Sequence, residues 1–127
     1  MRDWASAGEQ GRWDDLKSLY DAGPGFVWIE QGRIAYPDHA AVVAGVEAAK
    51  AAKAEIRSTI SDVVVTPLAA DAAAFHARST MTVASPSFRF AFDGILSGVA
   101  VKRDGAWKLL QGHLSAPPPQ ADAPPAE

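Results

Sequence analysis

Two ionisable side chains of this sequence are suited to acid–base chemistry. Histidine titrates near neutral pH, so His113 is a candidate acid, base or hydrogen-bond partner. Asp62 shares a predicted strand face with apolar residues, and a carboxylate that is desolvated by such neighbours becomes a stronger base. Tyr20 or Tyr36 would then be the hydrogen-bond donor. A structural histidine and an ordinary surface aspartate are the alternative interpretations.

The strand that carries His113 is the second arm of a predicted β-hairpin between Val99 and Ser115. An Asp104-Gly105 pair tolerates positive φ and predicts the turn. Alternation of side chains along the second arm gives one face, consisting of Trp107, Leu109, Gln111, His113 and Ser115. This face is apolar at its start and polar at its end, and buried polar groups need partners. It is therefore interpreted as a cavity wall, with the amide and hydroxyl orienting a ligand.

A second polar pair lies on another predicted strand. His76 and Arg78 are two residues apart and point the same way, which could present an anion-binding pair to a cavity. The opposite face of that strand, with Phe75 and Met81, is more apolar, which favours an outward direction for the pair. Exposure of His76 decides between the two interpretations.

Aromatic residues are numerous enough to line an apolar pocket with a few polar tips. The predicted lining set is Trp13, Tyr20, Trp28, Tyr36, His76, Arg78, Phe90, Phe92, Trp107, Gln111 and Ser115. The three histidines are widely spread and cysteine is absent, so no metal site is predicted. The sequence has no glycine-rich phosphate loop and no nucleotide fingerprint, so no cofactor is predicted either.

Helices come first and long strands later, which predicts an α+β domain. Two short helices are predicted over residues 1–9 and 13–20, and Asp38 is the predicted cap of a third that runs to about residue 54. Short strands are predicted at 26–29 and 34–36, and long ones at 55–66, 72–84 and 88–102, with Pro67 ending the first long strand. A change of apolar phase near Gly94 predicts a bulge at Asp93-Gly94.

Composition limits the range of functions. The 127 residues predict one domain over residues 1–115, followed by a flexible proline- and alanine-rich tail over 116–127. A formal net charge of −3 argues against a nucleic-acid partner, and no apolar run reaches 18 residues, which argues against a membrane partner. Cytoplasm is the default location, with export of a longer precursor left open.

Two stretches of the chain resemble a known superfamily. The residues from Trp107 to Ser115, following an Asp-Gly turn, resemble the last strand of the SnoaL-like group of the nuclear transport factor 2-like superfamily. Trp13 to Tyr20, followed by Phe26 to Ile29, resemble its early helix and first strand. This superfamily includes ketosteroid isomerases, polyketide cyclases and the association domain of calmodulin-dependent kinase. The resemblance implies a cone-shaped, curved antiparallel sheet wrapped around N-terminal helices, with an internal pocket.

Three functions are compatible with these features. The first is a small-molecule-binding domain with an aromatic-lined pocket for an apolar or aromatic ligand. The second is an isomerase, cyclase or dehydratase that uses His113 or Asp62 for proton transfer. The third is an oligomerisation or association module. A homodimer formed through the sheet is compatible with all three, because an apolar sheet face needs a cover.

Overall fold

A computed structural model describes residues 2–117 of the chain. Within them, three helices and six strands follow one another as α1 (Arg2–Glu9), α2 (Trp13–Ser18), β1 (Val27–Glu30), β2 (Arg33–Tyr36), α3 (His39–Ala51), β3 (Glu55–Ala69), β4 (Ala72–Ser85), β5 (Phe88–Arg103) and β6 (Ala106–Ser115). This is the predicted order of helices and strands. Most of the predicted tail, residues 118–127, lies outside the described part of the chain.

The six strands form one curved, unclosed sheet in the order β2-β1-β6-β5-β4-β3. Neighbouring strands are antiparallel except for β1 and β6, which run parallel, so the sheet is mixed where an antiparallel one was expected. Helices α1 and α3 contact β3 and β2, near the two edges of the sheet, and α2 packs against both helices. The predicted α+β cone is confirmed.

The two faces of the sheet have different surroundings. The inner face carries Leu96 and Leu114, which are almost fully buried and belong to the core cluster. The outer face carries the residues that alternate with these, such as Ile95 on β5. Burial of apolar side chains between the helices and the inner face is the main stabilising contribution to this fold.

The predicted caps and turns form as expected. The Asp38 carboxylate accepts a hydrogen bond from the Ala41 backbone N–H at 2.9 Å, which caps α3. Asp104 and Gly105 both have positive φ, as a two-residue hairpin turn requires. These local features depend on neighbouring residues only, which is why the sequence predicts them well.

Two predictions about the long strands are wrong. Pro67 does not end β3, which continues to Ala69; proline is tolerated there because β3 is an edge strand with a register shift beside Pro67. The predicted bulge at Asp93-Gly94 is absent from the β4–β5 ladder, whose register is continuous. The apolar residues of β5 change face because its outer face is also apolar.

A register shift lies between β5 and β6 instead. Val99 pairs with Gln111 and Ala100 pairs with Leu109, so Leu110 is an extra residue on β6. The shift reverses the alternation of side chains along β6. Beyond it, Gly112 and Leu114 face inward. This change of phase determines where the polar end of β6 points.

No helix among residues 2–117 is long and apolar enough to span a membrane.

Candidate functional site

A cavity of about 450 Å³ lies between the inner face of the sheet and helices α1 and α3. Its aromatic lining residues are Trp4, Trp13, Tyr20, Trp28, Tyr36, Phe88 and Phe90. Alanines 48, 49, 52 and 54 line it near the C-terminal end of α3. A space of this size, with a largely apolar wall, has the dimensions of a small-molecule site.

Two glycines position aromatic rings in the wall. A Cβ atom at Gly112 would overlap the six-membered ring of Trp28, so the ring lies directly on the β6 backbone. A Cβ atom at Gly45 of α3 would lie 2.8 Å from the hydroxyl oxygen of Tyr36. Both close approaches require a residue without a side chain. The cavity wall is therefore built by contacts between β1, β2, β6 and α3.

Tyr20 is the most deeply buried phenol of the cavity. Its hydroxyl accepts a hydrogen bond from the Trp4 indole N–H at 2.7 Å, and its ring meets that of Trp28 edge-on with centroids 5.6 Å apart. Burial raises the pKa of Tyr20 far above its usual range, so the phenol stays protonated. Because the oxygen accepts the indole bond, its own proton stays available for a ligand.

Glu30 is the one charged residue among the described residues of the cavity wall. It lies two positions after Trp28 on β1, so both side chains point to the inner face. Burial raises the pKa of the Glu30 carboxyl, while the Trp28 indole and the Arg33 guanidinium act in the opposite direction. Burial raises the pKa of Tyr36, and the nearby Glu30 carboxylate raises it further. The sequence analysis missed Glu30, although its spacing from Trp28 points to it.

Serine hydroxyls add neutral polar groups to the wall. Ser58, Ser85 and Ser87 line the cavity. The Ser58 backbone N–H and hydroxyl both donate to the Glu9 carboxylate of α1, at 2.9 and 3.3 Å. The Ser85 hydroxyl oxygen is buried and has no hydrogen-bond partner within the described residues, so it can serve a ligand.

His113 does not line the cavity. Gly112 and Leu114 face inward, so His113, Gln111 and Ser115 alternate to the outer face. His113 pairs there with Ser97 of β5. The physical reason is the extra residue in β6, which breaks the strict alternation on which the prediction depended.

The other polar candidates also lie away from the cavity. His76 and Arg78 are exposed on the outer face, while their neighbours Ala77 and Ser79 are buried on the inner one. Asp62 is exposed at the register shift of β3 and has a φ of 52°. None of the three lines the cavity.

Of the predicted aromatic residues, Trp13, Tyr20, Trp28, Tyr36 and Phe90 line the cavity. Phe92 is not among the lining residues and is buried in the core. Trp107 is 47% exposed at the start of β6, before the register shift. In the described part of the chain, no three histidine or acidic side chains lie close enough together to hold a metal ion.

The arrangement combines an apolar, aromatic space with one carboxyl group and two phenols. It can exclude water from a bound molecule, donate hydrogen bonds from Tyr20 and a serine, and supply one negative charge from Glu30. These are the elements of binding and of proton transfer.

Three solved structures illustrate the similarity of the whole fold. A nuclear transport factor 2-like protein of unknown function in nutrient uptake from Rhodospirillum rubrum has a TM-score of 0.74 and 18% identity, covering 91% of this chain and 93% of that one. A candidate scytalone dehydratase from Novosphingobium aromaticivorans has a TM-score of 0.74 and 14% identity, covering 90% and 76%. A candidate calcium/calmodulin-dependent protein kinase II association domain from Xanthomonas campestris has a TM-score of 0.69 and 22% identity, covering 91% and 81%.

At these identities the structures show a shared fold alone. Across eight such structures, the chain spans between 65% and 93% of the other protein's length. No curated protein is significantly similar in sequence. The sequence profile of the SnoaL-like domain matches residues 1–119, nearly the whole chain. This match shows that the chain belongs to the SnoaL-like domain family.

Proposed function

We propose that this domain binds a small, largely apolar molecule in the cavity between α1, α3 and the inner face of the sheet. The observation that carries the proposal is the aromatic-lined space of about 450 Å³ with a few polar groups in its wall. Small-molecule sites have this size and composition. The buried, unpartnered hydroxyl of Ser85 also supports it, since a polar ligand atom would satisfy it.

Filling the cavity should abolish binding without unfolding the protein. Ala49 lines the cavity on α3, whereas Ala51 is exposed on the same helix and does not. With the neutral fluorescent probe N-phenyl-1-naphthylamine, we expect Ala49→Trp to weaken binding at least about tenfold and Ala51→Trp to leave it unchanged. Equal affinities of the two variants, or no probe binding by the unmodified protein, would contradict the proposal.

Proton transfer is a second candidate function, and the position of Glu30 favours it. A carboxyl with a raised pKa, in one cavity with a protonated Tyr20, could take a proton beside a carbonyl while the phenol polarises the oxygen. The fold is shared with a candidate scytalone dehydratase. In this case solvent deuterium would enter bound β-tetralone beside its carbonyl, and Glu30→Gln would stop the exchange.

The outer face supports a further proposal, a homodimer through the sheet. Ile34, Val64 and Ile95 are 64%, 45% and 39% exposed. The strand register brings Ile34, Ile29, His113, Ser97, His76 and Val64 into one row across all six strands. A second copy of the same face would cover the exposed apolar residues that lie among its polar ones. An association module would use the same surface.

A charge on this face of the sheet should dissociate the dimer. At micromolar concentration we expect the protein to sediment as a dimer and Ile95→Lys to sediment as a monomer, because a lysine buried without a partner is costly. Ala51→Lys adds the same charge on the exposed side of α3 and should leave the dimer intact. A strictly monomeric unmodified protein would contradict the proposal.

A further inference from the structure

The charge of the cavity wall has one sign. Glu30 contributes a carboxyl, and none of the described lining residues is a lysine, arginine or histidine. The guanidinium that acts on this carboxyl belongs to Arg33, which is exposed on β2 and lies outside the lining. Among the described lining residues, Glu30 therefore has no cationic partner.

Three aromatic rings of the cavity wall are inclined to one another. Trp4 and Trp28 have centroids 5.8 Å apart and an interplanar angle of 38°. Tyr20 stands at 88° to Trp28. Differently inclined ring faces around one space attract a positive charge through the ring quadrupoles, and tryptophan does so most strongly.

From these observations we infer that the ligand of the cavity is an organic cation, an amine or quaternary ammonium with an apolar body. Its positive charge lies against Glu30, and its apolar part extends along the alanines of α3. The inference rests on the proposed binding function and adds the chemical class of the ligand. A half-buried carboxylate in an apolar wall is stabilised by a positive charge on its cavity side, and a ligand cation provides one where the lining has no basic residue.

The two phenols of the cavity wall leave its charge unchanged. Tyr20 and Tyr36 keep their protons because burial raises the pKa of both, so they add no second negative charge. A single carboxylate in an aromatic wall suits a ligand with one positive charge. An anionic ligand would meet Glu30 without a compensating cation, which argues against carboxylates and phosphates as ligands.

A pair of probes with the same shape separates charge from apolar contact. Benzyltrimethylammonium is positively charged, and neopentylbenzene is its uncharged isostere. Trp4, Trp13 and Trp28 line the cavity, so tryptophan fluorescence reports binding. We expect the cation to bind at least about tenfold more tightly than the isostere.

Removing the charge should remove this preference. In Glu30→Gln we expect the two probes to bind with similar affinity. Glu55→Gln, which removes the same charge from an exposed residue outside the lining, should keep the preference. If Glu30→Gln does not fold, protonation of Glu30 in the unmodified protein at about pH 4 tests the same point.

The outcomes distinguish an error in the class of ligand from an absence of binding. Tighter or equal binding of neopentylbenzene by the unmodified protein overturns the cationic ligand and leaves the binding function in place. An undiminished preference in Glu30→Gln does the same. If neither probe changes the fluorescence of the unmodified protein, both the binding function and the inference are overturned.

Discussion

Gly112→Ala is expected to destabilise the domain by about 3 kcal/mol, a large fraction of its stability. The new methyl group would overlap the Trp28 ring. That ring is only 3% exposed and is packed between Trp4 and Tyr20, so it cannot move aside without disturbing both. Denaturant unfolding followed by circular dichroism measures the loss.

The cost should depend on the size of the ring. In a Trp28→Phe background, where the ring is smaller, Gly112→Ala should cost less, with a coupling of about 1 kcal/mol or more between the two sites. Gly8→Ala is the matched control: its Cβ would lie 3.5 Å from Ile56, an ordinary contact, and alanine favours the helix. An equal cost of Gly112→Ala in both backgrounds would contradict the contact.

Local sequence patterns were sufficient to predict most of the fold. The Asp38 cap and the Asp104-Gly105 turn act over a few residues, and the predicted elements they delimit are present. The resemblance of the Trp107 to Ser115 stretch to the superfamily predicted the cone-shaped fold. These predictions needed no knowledge of distant contacts.

The positions of the polar residues could not be predicted in the same way. Which way His113 points depends on the register between β5 and β6, and one extra residue at Leu110 reverses it. A bulge of this kind depends on packing between strands, including the contact of the Trp28 ring with the β6 backbone at Gly112. The apolar outer face also removed the contrast between faces that alternation arguments require.

Glu30 was missed for a related reason. Its strand, β1, is only four residues long, and Glu30 is the only polar residue in it. Alternation of polar and apolar residues therefore cannot show which face of β1 points inward. The parallel pairing of β1 with β6, which brings Glu30 beside Leu114, joins segments far apart in sequence. Only the spacing from Trp28 linked Glu30 to the cavity.

Stability and cation binding should respond to pH in opposite directions, and both responses should disappear in Glu30→Gln. Burial raises the pKa of Glu30 above its unfolded value of about 4.3. Folding therefore favours the protonated carboxyl, so this contribution to stability is complete below the unfolded pKa and is lost as pH rises through the folded pKa. Glutamine resembles the protonated form at every pH.

For stability, the unmodified protein and Glu30→Gln should be equally stable near pH 4. As pH rises, Glu30→Gln should become the more stable of the two, by less than about 1 kcal/mol because solvent screens the half-buried carboxyl. Thermal unfolding at a series of pH values measures this difference. The gain would mean that the unmodified protein keeps a charge in its cavity at some cost to folding.

For binding, the sign is reversed, because the cation needs the carboxylate. The affinity for benzyltrimethylammonium should fall about tenfold as pH decreases through the raised pKa of Glu30, to the level of the uncharged isostere. Tyr20 and Tyr36 keep their protons over this range because burial raises the pKa of both, so Glu30 sets the midpoint. The pH midpoint of the change in affinity should lie near the pH midpoint of the change in stability difference. It should be somewhat lower, because the bound cation stabilises the carboxylate. A pH-independent affinity, or stability curves of the two proteins that run parallel from about pH 4 to about pH 7, would contradict a buried, ligand-binding carboxyl at this position.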